Sequence, residues 1–453
     1  AAAEPGPPAR DARRSIVVVP FANLSDETSQ AFFSDGMTEE ILALLARQPN
    51  LRVVSRTTSF ALRGSAHDVR SIARKLNVEM VLEGSVRRAG NRVRIMAQLI
   101  DPEQDAQLWS DQFDRELTDI FAVQGEIARS IVGALNLDPN CCPKPKVATQ
   151  ELEAYDYYLR GLQYFYSLTE SGVDIAREMF QRAIDIDPGF ARAYAGLANA
   201  ESTTAQWFDH SPARLEAADR ASRRALELAP DLAEAHSARG YALTLSGDFG
   251  GAAREFESAL EIEPGNFEAL YLFARSRFAE GKMAEAAELF RKAHETQPDE
   301  FQAVSLLEGT LRAMGADEQE QAAATKRAVA AIQNRLELNP DDQRALNLGC
   351  NMLVSDGQVE RGLEMARRLL RLAPNDASAL YNTTCAFANA GRHDEALDLL
   401  ERRVRMGGLY RQWVEHDPDF AGLRDHPRFQ ALLGRMSSPR VAEDAAAPKG
   451  ASE

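Results

Sequence analysis

From residue 151 onward, prolines recur at two regular spacings. Each proline follows an apolar helical segment, and successive prolines lie 42, 34, 34, 42 and 34 residues apart. Proline cannot continue a helix, because it lacks the amide hydrogen and its ring clashes with the preceding turn. A period of 34 residues therefore predicts a row of stacked helix pairs. The prolines are Pro188, Pro230, Pro264, Pro298, Pro340 and Pro374.

A second regularity lies inside these units, where an alanine precedes a phenylalanine by four residues. The full pattern is present as Ala176/Phe180, Ala252/Phe256 and Ala286/Phe290. The alanine allows two helices to approach closely, and the phenylalanine fills the space between them. With the proline, the pattern resembles the tetratricopeptide repeat, a helix-turn-helix unit.

This resemblance predicts seven helix pairs over residues 151–408. The two longer intervals carry eight extra residues, which we expect in loops around residues 207–213 and 315–324. We predict a helical cap over residues 409–436, because the last repeat would otherwise expose its stacking face. The small and polar residues 437–453 are predicted to be a disordered tail.

Residues 15–138 alternate strand and helix signals. Strands are predicted at residues 15–20 and 51–55 and in a hairpin that turns at residues 88–91, with helices at 35–48, 67–77 and 117–137. The predicted fold class is an α+β two-part chain: a small mixed α/β domain of order βαβαββα, followed by an all-α superhelix. Pro-rich linkers are expected at residues 1–14 and 139–150.

The first part also resembles a known family. The segments SIVVVPFANLSDETSQAFFSDGMTEEI, VEMVLEGSVRRAGNRVRIMAQLID and LWSDQFDRELTDIFAVQGEIA are similar to the TolB-amino-terminal-like α/β domain of bacterial signalling proteins. In that family the domain lies between a repeat array and an effector, which is a class III adenylate cyclase, a winged-helix regulator or a Ser/Thr kinase. The resemblance implies the regulatory half of such a protein, without its effector.

Composition excludes several classes of protein. The net charge of −16 disfavours a chain that grips a nucleic-acid backbone, so we expect no direct nucleic-acid contact. Four cysteines are too few for a disulfide-rich scaffold, and the apolar runs are too short for a membrane span. The unpatterned start at Ala1 leads us to expect that a further segment has been removed upstream.

No motif of a catalytic, cofactor or metal site is present, so we expect neither an enzyme nor a cofactor. Adjacent Cys141 and Cys142 permit a redox or metal interpretation, but two free thiols in a linker are favoured. The arginines of the predicted hairpin could meet an anion or an acidic partner, although a solvated hairpin end is the simpler interpretation. These arginines are Arg87, Arg88, Arg92 and Arg94.

The repeats offer the candidate binding surface. First helices line the inner face of such an array, and their positions 5, 9 and 12 should face a groove. Those positions hold Ser237, Tyr241, Thr244, Tyr271, Arg275, Phe278, Asn347, Asn351, Val354, Tyr381, Cys385 and Ala388. The predicted partner-binding residues among them are Tyr241, Thr244, Tyr271, Arg275, Phe278, Asn347, Asn351 and Tyr381. The alternative is that each aromatic residue only packs on the next helix.

These observations lead to a functional hypothesis with two alternatives. The chain is predicted to be a non-enzymatic regulatory module that binds a protein or peptide partner and controls an absent effector. It could instead be a stand-alone scaffold, or a small-ligand sensor that uses the α/β domain, with homodimerisation open. The resemblance to TolB favours a membrane-tethered periplasmic location over the cytoplasm.

Overall fold

The computed structural model describes residues 14–25, 31–63, 68–138, 149–167, 169–209, 211–406 and 411–436. The chain divides into two compact units, the first ending at Ala316 and the second beginning at Asp317. Cys141, Cys142, most of both predicted linkers and the predicted tail lie outside the described residues.

A mixed sheet forms the amino-terminal part of the first unit. Its strands are ordered β3-β1-β4-β5-β6, and the short strand β2 pairs with β4. Strand β1 pairs in parallel with β3 and β4, and β2 pairs in parallel with β4. The pairs β4–β5 and β5–β6 are antiparallel. The strands are β1 (Arg14–Val18), β2 (Ala22–Asn23), β3 (Leu51–Val53), β4 (Met80–Ala89), β5 (Arg92–Asp101) and β6 (Ala106–Glu116). The helices of this part are α1 (Ala31–Ala46), α2 (Arg56–Ala61), α3 (Val69–Leu76) and α4 (Ile120–Ala134), the last preceded by a 3-10 turn (Leu117–Asp119).

The sheet agrees with the predicted two-part chain and adds three elements that were not predicted: β2, α2 and β6. Strand β6 lies at the sheet edge, and most of its side chains are exposed, although Phe113 is buried. It therefore lacks the apolar alternation that marks a half-buried strand. Helix α2 has only six residues, too few to show a helical repeat of apolar residues in the sequence. It begins after Ser55, whose hydroxyl accepts a hydrogen bond from the Thr58 amide.

Helices follow without interruption by strands. In the first unit they are α5 (Leu152–Phe165), α6 (Glu170–Ile186), α7 (Ala191–Trp207), α8 (Pro212–Leu228), α9 (Ala233–Leu245), α10 (Phe249–Ile262), α11 (Phe267–Ala279), α12 (Met283–Thr296) and α13 (Phe301–Met314). In the second unit they are α14 (Glu318–Leu338), α15 (Gln343–Ser355), α16 (Val359–Leu372), α17 (Ala377–Asn389), α18 (His393–Arg405), α19 (Arg411–His416), a 3-10 helix (Pro418–Leu423) and α20 (Pro427–Arg435). The order of paired helices is the predicted one, and each repeat proline stands two residues beyond the end of its helix.

The phenylalanines of the repeat pattern lie in the core. Phe180, Phe256 and Phe290 are at most 1% exposed. A glycine of the neighbouring first helix lies against the ring in two of these cases: a Cβ atom added to Gly240 would lie 2.8 Å from the ring of Phe256. Glycine there lets the helices approach until the ring fills the gap, as the pattern predicted.

The eight extra residues of the long repeats were predicted in loops, and that prediction is wrong for most of them. Helices α7 and α8 have 17 residues each, compared with 13 in α9 and 14 in α10, and α14 has 21 residues. The inserted residues, such as the alanine-rich run at 322–324, favour helix and extend it by about one turn or more.

The sheet and the first repeats share one hydrophobic core. The sequence predicted instead a linker at residues 139–150 that separates two domains. Leu159 of α5 lies against Gly36 of α1, where an added Cβ would come within 2.5 Å of its methyl groups. Tyr155 of α5 is 1% exposed and its hydroxyl accepts a 3.0 Å hydrogen bond from the side chain of Gln124 in α4. The division between the compact units lies instead at residues 316 and 317.

We expect Phe256→Ala to destabilise the first unit by about 3–5 kcal/mol, because it removes a fully buried ring that stacks on Phe273 at a centroid distance of 5.4 Å. Phe278→Ala is the control, since that ring is 42% exposed on the adjacent first helix. Urea unfolding followed by circular dichroism measures both variants. Equal midpoints for Phe256→Ala and the parent would contradict the packing.

We also expect the α/β domain and the first repeats to unfold together, because α1 and α5 share a core. Of the three tryptophans, Trp109 lies in β6 and Trp207 in α7. Variants that keep only one of these two report on each part by fluorescence. Coincident transitions are expected; separate midpoints would restore the boundary at residues 139–150.

Candidate functional site

Three first helices bring one aromatic and basic patch together in the first unit. Helices α7, α9 and α11 pack side by side. The patch consists of Trp207 on α7, Tyr241 on α9, and Tyr271, Arg275 and Phe278 on α11. We call these five residues the inner-face patch.

Arg275 is the centre of the inner-face patch. Its guanidinium carbon lies 5.3 Å from the ring centroid of Trp207 and 5.6 Å from that of Tyr271, within the range of cation–π attraction. The guanidinium is partly exposed and has no ion pair or hydrogen bond within the described part of the chain. Trp207 and Phe278 are 40% and 42% exposed. The patch thus offers a cation without an ion pair among the described residues, next to the accessible ring of Trp207 and one helical turn from the accessible ring of Phe278.

Tyr241 and Thr244 hold helices together more than they face a groove. Tyr241 is 7% exposed, its hydroxyl donates to the Gln206 side-chain carbonyl of α7, and burial raises its pKa. The Thr244 hydroxyl lies 2.8 Å from the Gly240 carbonyl and 2.9 Å from the Ser276 hydroxyl of α11. The Thr244 hydroxyl therefore joins α9 to α11, and this contact explains the residue without a binding partner.

Tyr271 lies between two other aromatic rings. Its centroid is 5.8 Å from that of Phe267 and 6.2 Å from that of Phe290. The residue is 8% exposed, so the prediction that it packs on the next helix is correct for its ring. Its hydroxyl is buried and makes no hydrogen bond to any residue that the structure describes. A buried, unpaired hydroxyl is costly and calls for an explanation.

The predicted groove residues of the second unit are already engaged by their own chain. The Asn351 amide donates to Asp419 at 3.0 Å, and the Tyr381 hydroxyl donates to the carboxylate of Asp417. The Asn347 amide donates to the Ser378 hydroxyl at 2.9 Å. All three side chains therefore have hydrogen-bond partners within the second unit: Asn351 in the 3-10 helix, Tyr381 in the residue before it, and Asn347 in α17.

The other positions assigned to the groove are buried. Cys385 is 2% exposed, and burial together with the Asp417 and Asp419 carboxylates raises the pKa of its thiol well above its usual value. These three groups lie within 4.8 Å of one another. The carboxylates already accept hydrogen bonds from Tyr381, Asn351 and Asn389, which explains the cluster without a metal. The remaining buried positions are Ser237, Val354 and Ala388.

A polar seam joins the α/β domain to the first turns of the repeat helices. Arg192 of α7 binds Glu40 of α1 at 2.7 Å and Glu234 of α9 at 3.2 Å. Ser55 donates to Asp299 through its amide at 3.0 Å and its hydroxyl at 2.6 Å. A further ion pair joins Arg47 to Glu263.

Arg56 and Glu268 belong to the same group of interacting charges at this seam. The Arg56 guanidinium binds Glu39 at 3.1 Å and lies 3.5 Å from the Tyr166 ring centroid. Burial, together with the Glu234 and Glu39 carboxylates, raises the pKa of Glu268 to about 7, and the charge of Arg56 opposes this shift. Glu268 thus changes charge near neutral pH, at the seam and one turn before Tyr271 on α11.

Three of the four hairpin arginines have partners within the first unit. Arg88 pairs with Asp156 of α5 at 2.8 Å, Arg94 pairs with Asp114 of β6 at 2.7 Å, and Arg87 donates to the Leu24 carbonyl at 3.0 Å. These contacts account for the three arginines without a ligand, while Arg92 is exposed at the hairpin end.

Sequence reasoning missed Trp207, which it placed in a loop. Counted back from the repeat prolines, Trp207, Tyr241 and Arg275 are equivalent, each 23 residues before Pro230, Pro264 or Pro298. That count could have identified the tryptophan. It was overlooked because the longer repeat was treated as a loop insertion instead of an extended helix.

Comparisons with known proteins agree with the repeat fold. Residues 243–311 and residues 353–408 each match a tetratricopeptide repeat family. Over 199 residues the chain is 43% identical to "Putative adenylate cyclase 3" of Rhizobium meliloti (strain 1021). That match takes in 43% of this chain and 34% of the relative, so the chain spans about a third of the relative's length. Together these matches support a bacterial protein that contains tetratricopeptide repeats.

Solved structures resemble parts of the chain at low identity. YrrB, a tetratricopeptide repeat protein with an unusual peptide-binding site, shares 21% identity over 41% of this chain and 91% of its own, with a TM-score of 0.30. The human IFIT1 dimer with m7Gppp-AAAA shares 14% identity over 70% and 76% of the two chains, with a TM-score of 0.42. Neither TM-score reaches 0.5, so these likenesses support no conclusion about function. Among the described residues, no helix has both the length and the apolar character to cross a membrane.

We expect Glu268→Gln to reduce the pH dependence of stability. The folded-state pKa of about 7 exceeds the usual 4.5, so the stability linked to this proton is present below pH 4.5 and is lost as pH rises through about 7. Gln has no charge to bury, so the variant should gain about 1–2 kcal/mol on the parent at pH 8, after a discount for solvent screening.

Thermal and urea unfolding between pH 5 and pH 8 would measure this effect. Glu257→Gln, which removes an exposed carboxylate on α10, is the control for the loss of one negative charge. A parent and a Glu268→Gln variant with parallel pH profiles would show that Glu268 is ionised at no cost in the folded chain.

Proposed function

We propose that this chain is the regulatory, protein-interaction part of a bacterial signalling protein. The inner-face patch binds a protein or peptide partner, and the α/β domain transmits the bound state to an effector that is not within these 453 residues. The observation that carries the proposal is the guanidinium of Arg275, which has no ion pair among the described residues and lies between the ring of Trp207, 40% exposed, and the buried ring of Tyr271. Arginine and tryptophan dominate binding hot spots because each combines a large contact area with a polar group.

Two further observations support this role. The tetratricopeptide repeats form a fold that presents an extended inner face to a partner. The relative from Rhizobium meliloti bears the name of an adenylate cyclase, which supports a nucleotide cyclase as the class of effector. The chain's own role in that case is regulation, with catalysis supplied by the effector.

Helix α11 is the element that can couple binding to the α/β domain. Glu268, Tyr271 and Arg275 follow one another at helical spacings of three and four residues, so they lie along one face. Glu268 lies in the seam with α1 and α2, whereas Arg275 lies in the patch. A partner that moves α11 therefore changes the seam, which is the physical connection that the regulatory role requires.

We expect Trp207→Ala and Arg275→Ala each to weaken partner binding by about 1–2 kcal/mol while the chain stays folded. The full chain captures partners from native extract, and each captured protein is then titrated against the parent and the variants. Arg92→Ala is the matched control, because Arg92 is an exposed arginine on the hairpin. Undiminished binding by the double patch variant, with loss in Arg92→Ala, would assign binding to the α/β domain.

A further inference from the structure

Two tyrosines occupy equivalent positions in the two units and differ in the hydrogen bonding of their hydroxyl groups. Tyr271 and Tyr381 each stand seven residues after a repeat proline, on α11 and α17. The Tyr381 hydroxyl donates to the carboxylate of Asp417. The buried Tyr271 hydroxyl has no such acceptor among the described residues. The first unit therefore lacks a hydrogen-bond acceptor where the second unit has a carboxylate.

The covering segment of the second unit shows what this helix face can hold. Asp419 accepts hydrogen bonds of 3.0 Å from the amides of Asn351 and Asn389. The Phe420 ring lies edge-on to Tyr381 at a centroid distance of 5.8 Å and is fully buried. A short stretch of this chain thus places two carboxylates and one aromatic ring on the inner positions of α15 and α17.

The inner-face patch has groups that match those of the second unit. Arg275 lies eleven residues after its repeat proline, as Asn351 does, and supplies a charged donor where the second unit uses a neutral amide. Charged donors bind carboxylates more strongly than neutral ones. Trp207 and Phe278 provide accessible apolar surface beside the cation, which suits an aromatic ring.

We propose that the inner-face patch binds an acidic, aromatic peptide segment of a partner protein. A side-chain carboxylate of the segment binds the Arg275 guanidinium and accepts the hydrogen bond of the Tyr271 hydroxyl, and a neighbouring aromatic ring packs on Trp207 or Phe278. This inference rests on the proposed function and names the class of its partner.

The charges favour a side-chain carboxylate over the other anions that an arginine could bind. The patch has one guanidinium, whereas a chain-terminal carboxylate is usually held by several cations, and the segment that fills the second unit is internal to its chain. Nucleic acid could stack on Trp207, but its backbone carries a negative charge at every phosphate, whereas the patch supplies the single cation that one side-chain carboxylate needs.

The test is a fluorescence anisotropy titration of the full chain with a labelled peptide of residues 415–423, Glu-His-Asp-Pro-Asp-Phe-Ala-Gly-Leu, carrying a carboxyl-terminal amide. Saturable binding is expected. Arg275→Ala should weaken it at least tenfold, and replacing both peptide aspartates by asparagine should do the same. A free carboxyl terminus on the peptide should change nothing.

Tyr271→Phe is the sharper variant, because it keeps the ring and removes only the unpaired hydroxyl. It should weaken peptide binding several-fold while the melting temperature stays equal to that of the parent or rises. Arg92→Ala, on the hairpin, should bind the peptide as the parent does.

Equal affinity of the parent and Arg275→Ala would overturn the inference, because the peptide would then bind elsewhere. Absence of peptide binding, together with partner capture that still depends on Trp207 and Arg275, would show that the partner class is wrong while the proposed function stands. Capture that is independent of the patch would defeat the proposed function itself. Displacement of the peptide by single-stranded oligonucleotide at lower concentration than by unlabelled peptide would assign the patch to nucleic acid and overturn the inference.

Discussion

The contact between a buried phenylalanine and the small residue of the facing helix sets the geometry of the repeats. Phe256 fills the space left by Gly240, and Phe180 does the same against two glycines of its neighbouring helices. A larger residue at either glycine would force the helices apart. Because this contact recurs at a fixed spacing, residues 34 positions apart fall on equivalent points of adjacent first helices. Trp207, Tyr241 and Arg275 are neighbours in space for that reason, although nothing in their own chemistry would bring them together.

The inner face of the first unit is divided along the length of its helices. The first turns, at Arg192, Glu234 and Glu268, contact the α/β domain, whereas the later turns carry the inner-face patch. The α/β domain is therefore a part of the repeat surface and not a neighbour on a linker. The exposed rings of the patch, Trp207 and Phe278, both lie on the later turns of their helices.

Periodic features were predictable from the sequence, and contacts between distant residues were not. The helix pairs follow from the prolines, and Phe256 from its pattern, because both are local and repeated. Strand β6 was missed since an exposed edge strand needs no apolar alternation. The hydrogen bonds of Asn351 and Tyr381 were not predictable, since Asp419 and Asp417 come from a segment that no repeat position predicts. Tyr271, Arg275 and Phe278 were placed correctly on α11, but the Tyr271 ring proved to be structural and only its hydroxyl is left without a partner.

Coupling between the patch and the seam, if it operates through α11, must act in both directions. A partner can favour one arrangement of the seam only to the extent that this arrangement favours the partner, because the two free energies are linked. Protonation of Glu268 relieves repulsion from Glu234 and Glu39 and so stabilises the packed seam. A partner that prefers the packed seam would then bind more tightly as pH falls through about 7, although it never touches Glu268. The same helix would thus carry the signal and make it sensitive to the charge of a residue outside the binding site.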